Sequence, residues 1–160
     1  MAPSVPFTPT SAGVNQPDEY TGPFFPPRLL PSARTALAAA QRHLDLARQP
    51  RDCATRFVHA HLAALRAAAA VVAQHGLGNQ RGRRRPRSVW ELLPIAEPRL
   101  TAWSARFTDS AAKRSAAEAG LPGAVVGAEA AELLADAVAF VAVVEQLLGV
   151  SEPQEHLTEG

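Results

Sequence analysis

The chain predicts an all-α bundle of four to five helices, and three observations carry that expectation. Hydrophobic residues make up 47% of the 160 positions, and they are dominated by alanine, the strongest helix former. Apolar side chains recur at helical spacing from Ser32 to Leu148, with no strand-like alternation and no internal repeat. Capping and breaking residues fall between these periodic stretches. One domain over residues 32–149 is expected, behind a Pro-rich tail over 1–31 and ahead of a polar tail over 150–160.

The N-terminal segment holds Pro, Thr, Ser and Gly at a density that blocks helix and sheet, so an extended or disordered tail is predicted. Phe24-Phe25-Pro26-Pro27 is its apolar knot. Ser32, following Pro31, is placed as the cap of a first helix reaching Gln49, with Leu37, Leu44 and Leu46 on its buried face. Pro50 breaks the chain, and Asp52 caps a second helix that runs to His75 and stops at Gly76 and Gly78. A polar loop follows, Gly76 to Arg87. Ser88 and Glu91 then form the pattern of a capping box, opening a short helix that Pro94 closes. Pro98 starts a helix to Phe107, with Leu100, Trp103 and Phe107 on one stripe. Asp109 or Ser110 is read as the cap of a separate helix, Ala111 to Ala119, ended by Gly120. The last helix is placed from Ala128 to Leu148. Glu129, Glu132 and Asp136 lie on its solvated face, and Leu133, Val141 and Val144 are among the residues opposite.

Charge and motifs narrow the function. The net charge is +1, so attraction to nucleic acid requires a local patch. Lys113 is the only lysine, and the arginine excess is what a GC-rich coding bias produces. Cys53 is the only cysteine, which excludes an internal disulfide and a cysteine-based metal site. No basic region precedes an apolar run at the N-terminus, and Ala137–Leu148 is too short to span a bilayer, so a cytoplasmic protein is expected. Phosphate-binding glycine loops, CxxC pairs, HExxH and GxSxG are absent, and neither cofactor nor metal is expected.

Two candidate sites remain. On a wheel of the second helix, His61 falls about 140° from Arg56 and in the middle of the apolar arc. Arg56, His59 and Arg66 share the polar side. His61 therefore faces the core or another chain, and His59 is expected to face water. The second site is the loop bearing Arg81, Arg83, Arg84, Arg85 and Arg87, a cationic run suited to phosphate backbones or simply a solvated product of codon bias. Trp90 and Trp103 fall beside leucines on amphipathic stripes, which favours core packing over base stacking.

The helical layout, the Arg56-Phe-Val-His-Ala-His61 element, and Ser88-Val-Trp-Glu-Leu-Leu93 with Trp103 and Phe107 together resemble a HEPN domain over about residues 32–149, closest to a small actinobacterial subfamily. HEPN domains are helical bundles that commonly dimerise, and many cut RNA without a metal. Their signature is an arginine followed four to six residues later by a histidine, which Arg56 and His61 match. The resemblance implies Arg56 stabilising charge on a phosphate while His61 moves a proton as the ribose 2′-hydroxyl attacks. It leads to an RNA-binding or RNA-cleaving protein working as a homodimer. The alternative is a non-catalytic helical adaptor that holds a protein partner.

Overall fold

The computed structural model describes residues 28–49, 52–82 and 85–150. Expectations for residues 1–27 and 151–160, and for Arg83 and Arg84, lie outside that range. Five α-helices and one 3₁₀ turn make up the described elements: α1 Pro31–Arg48, α2 Cys53–Gln74, α3 Val89–Ala96, the 3₁₀ turn Pro98–Leu100, α4 Thr101–Glu118 and α5 Gly127–Leu147. No strand occurs among the described residues.

Helix α2 is the axis of the bundle and packs against each of the other four. Its sequence explains how one helix can have so many neighbours. Ala60, Ala63, Ala64, Ala67, Ala68 and Ala70 are all fully buried, and side chains this small let neighbouring helices approach closely. Helix α1 runs antiparallel to α2, and Leu30, at its start, bonds to Gln74 at the end of α2. Helix α4 is also antiparallel to α2, and α5 runs back alongside it. Two ion pairs, Arg106–Asp136 at 2.7 Å and Lys113–Glu129 at 2.8 Å, join α4 to α5. Two of the three acidic residues expected on a purely solvated face are therefore paired. The large side chains sit opposite the alanines. Trp90, Trp103, Phe107 and Phe140 stack or tilt against one another with ring centroids 5.3–6.4 Å apart.

The Asp52 cap holds, its carboxylate accepting from the Thr55 amide and hydroxyl. So does the Ser88–Glu91 capping box. Gly76 and Gly120, at φ 73° and 75°, end α2 and α4 in the left-handed conformation that glycine adopts without strain. Helix α1 starts two residues earlier than expected, with Leu30 at the cap position: Pro31 occupies the first turn, where its missing N–H costs nothing, and Ser32 is inside the helix. Leu46 is only half-buried.

Two breaks predicted from local preference do not occur. Pro94 does not close α3, which continues to Ala96. A proline at 94 cannot donate to the carbonyl of Trp90 four residues back. The Ser104 hydroxyl of α4 donates to that carbonyl instead, so the freed acceptor is satisfied from a neighbouring helix. The second break, at Asp109 or Ser110, is also absent, and residues 101–118 form one continuous helix. Ser110 is buried, and its hydroxyl donates to the Phe107 carbonyl at 3.0 Å, a bond inside the helix that replaces the capping bond.

By length and composition α2, rather than the 137–148 segment, is apolar enough to cross a membrane, and slightly more than half of its most apolar stretch, 56%, is buried against the rest of the bundle.

Candidate functional site

Arg56 and His61 both lie on α2, and the structure gives each a separate set of partners. Arg56 reaches back to the end of α1. Its Nε donates to the Ala47 carbonyl and its Nη2 to the Gln49 carbonyl, each at 2.9 Å. A helix leaves its last carbonyls without intrahelical donors, and a guanidinium there satisfies them and complements the negative end of the dipole. Arg56 lies on the side of α2 that faces the end of the preceding helix, and that helix is its partner.

His61 is 1% exposed. Its Nδ1 lies 2.8 Å from Ser110 Oγ. Since the only proton on that hydroxyl goes to the Phe107 carbonyl, Nδ1 carries a hydrogen and donates to Oγ. The ring stands edge-on to Trp90 and Phe107, with centroids 6.0 and 6.3 Å away. Burial, reinforced by the Arg114 guanidinium, pushes its pKa down to about 4. At neutral pH His61 is therefore an uncharged imidazole inside the aromatic cluster. A base with so low a pKa has little driving force to take a proton at pH 7. Arg114 itself has a buried Nε without a hydrogen-bond partner among the described residues, and pairs loosely with Glu118 at 3.9 Å.

His59, expected to face water, is half-buried against α1. Its Nδ1 lies 3.1 Å from Nδ1 of His43, and the two rings stack at 5.3 Å. A hydrogen bond between two imidazole nitrogens needs one donor and one acceptor, so at least one of the rings is neutral. Burial lowers the pKa of His43, and the charges of His59, Arg66 and Arg42 lower it further. This pair had a readable signal that the sequence reading did not use. His43 and His59, Ala47 and Arg56, and Leu30 and Gln74 are pairs whose midpoints all fall at residues 51 to 52, in the short connection between α1 and α2. An antiparallel helical hairpin brings such residues face to face.

The arginine loop is held at its base. Gln80 Nε2 donates to the Arg87 carbonyl at 2.8 Å, and Gln80 Oε1 accepts from the Arg87 amide at 2.6 Å. Asn79 Oδ1 accepts from the Arg81 amide, and Gly82 turns the chain with φ 87°. Arg81, Arg85 and Arg87 are exposed, and none of the three pairs with a carboxylate among the described residues.

This all-helical architecture is the one expected of a HEPN domain. The SAV_6107-like HEPN family matches residues 47–145, more than half of the chain, and the protein belongs to it. The match starts in the last turn of α1 and ends near the close of α5, so most of α1, including His43, lies outside it. No curated protein and no solved structure matches the chain.

Proposed function

We propose that this protein is an RNA-binding HEPN domain that does not cut RNA through Arg56 and His61. The observation that carries the reading is the burial of His61 with its Nδ1 bonded to Ser110, far from the state a proton-transfer residue needs at neutral pH. Two of the five N–H donors of Arg56, on Nε and Nη2, are likewise engaged by carbonyls at the end of α1. RNA binding is supported by the loop that presents Arg81, Arg85 and Arg87 on a base fixed by Gln80. Phosphate contacts of this kind act through counterion release and weaken steeply with salt.

The test measures binding and cleavage on the same samples. Fluorescence anisotropy with single-stranded RNA at about 50 and 200 mM salt should show binding that falls with salt. Replacing Arg81, Arg85 and Arg87 with Ser should flatten that dependence while helicity is retained. Incubation with RNA in excess chelator should leave it intact. Cleavage to 2′,3′-cyclic ends that disappears in Arg56→Ala would overturn the reading in favour of a nuclease, its site completed across a homodimer. Failure to bind RNA at either salt would overturn it in favour of a protein-binding adaptor.

A further inference from the structure

The end of the bundle where α2 and α5 finish carries a cavity of about 300 Å³, lined by Val71, Gln74, His75, Arg99, Leu147 and Leu148 among others. A second hollow of about 340 Å³ shares Arg99 and Leu147 with it and continues the groove past Leu100, Trp103 and Val143. Several polar atoms at the rim are already engaged. Arg99 Nε donates to Glu97 at 2.7 Å, and His75 Nδ1 meets the Val71 carbonyl at 3.0 Å. Both ends of the Gln74 amide are in use as well. The apolar part of the lining comes from Val71 and the half-buried Leu147 and Leu148, beside the exposed Arg99 side chain.

Gln74 also fixes where the N-terminal chain arrives. Its Nε2 donates to the Arg28 carbonyl at 2.9 Å, and its Oε1 accepts from the Leu30 amide at 2.8 Å. A side chain that lines the cavity thus clamps the backbone at the first described residue. The four residues before Arg28 are Phe24, Phe25, Pro26 and Pro27. Three residues at about 3.1 Å each let Phe25 reach up to about 9 Å from Arg28. Two consecutive prolines restrict the chain before it binds, so less entropy is lost on docking. A phenylalanine ring supplies what the groove lacks, an apolar body with a π face for a guanidinium.

We propose that this groove is a docking site for the protein's own Phe24-Phe25 pair, held in register by Gln74.

The test is NMR on the full-length chain with labelled Leu and Val methyls. Nuclear Overhauser contacts should connect the Phe24 or Phe25 ring to the Leu147 or Leu148 methyls. In a Phe24→Ala/Phe25→Ala chain those contacts should vanish, with methyl shifts changing at Leu147 and Leu148 and not at Leu133. Gln74→Ala should weaken the same contacts in the wild-type tail while the helical amide pattern persists. Leu147 and Leu148 methyl shifts unaltered by the double substitution would overturn the proposal. So would contacts that appear only between labelled and unlabelled chains in a mixed sample, since they would seat the pair on a second copy.

Discussion

His59 and His61 are two residues apart on α2 and live in opposite environments. His61 points into the knot made by Trp90, Phe107 and Phe140, where large rings fill the space and its one resolved polar contact is Ser110. His59 lies on the seam with α1, where small buried residues such as Ala40 and Ala47 alternate with Leu37 and Leu44 and a polar contact is made to another histidine. One region is held by bulk and the other by closeness. The difference teaches that proximity in sequence along a helix says little about chemistry, because a step of two residues turns the side chain by about 200°.

The largest expected effect breaks the comparison at its bulky side. Phe107→Ala removes a ring that is fully buried, and urea unfolding should show a loss of about 3–5 kcal/mol. On the alanine seam the damaging change is the reverse one. Ala40→Leu inserts atoms where none fit, and about 1–3 kcal/mol should be lost. If enlarging Ala40 were neutral, the seam would not be close-packed.

The next effect sharpens the contrast by pH. His61 has a pKa of about 4 in the folded protein against 6.5 as its ordinary value, so the unfolded chain takes up a proton first. The stability associated with neutral His61 is complete above pH 6.5 and is lost as pH falls toward 4. Its full size is about 3 kcal/mol at 1.36 kcal/mol per pKa unit. Carboxylates titrate in the same window, so the measure is the difference between wild type and His61→Gln at pH 7 and pH 4.5. That difference should shrink in acid. His43, whose pKa is also lowered, adds a loss of the same sign as its bond to His59 is protonated apart.

The smallest effect concerns Arg56. Arg56→Ala leaves the Ala47 and Gln49 carbonyls without their guanidinium, at a half-buried site that water reaches in part. A cost of about 1 kcal/mol is expected in thermal or urea unfolding.

The elements whose signals are local were legible. Asp52, Ser88 and Glu91 act within one turn of where they stand, and the apolar arc of α2 placed His61 inside. What was not legible depended on a second helix. Ser110 favours a cap by its own chemistry, and only the arrival of His61, 49 residues away in sequence, makes it a useful interior residue. Pro94 ends a helix unless something else satisfies the Trp90 carbonyl, and Ser104 does so from α4. His59 looked solvent-facing because its own helix says nothing about where α1 lies. For the candidate site, residue identities and faces were readable, whereas the commitment of Arg56 to α1 was a tertiary fact.

The alanine content of α2 has a thermodynamic consequence. Each buried alanine removes little apolar area from water and has no rotamers to freeze. Heat capacity of unfolding follows the apolar area exposed. A bundle whose axis is largely methyl groups should therefore have a low heat-capacity increment for its size. Its stability curve should be shallow, changing gently over a broad temperature range instead of peaking sharply.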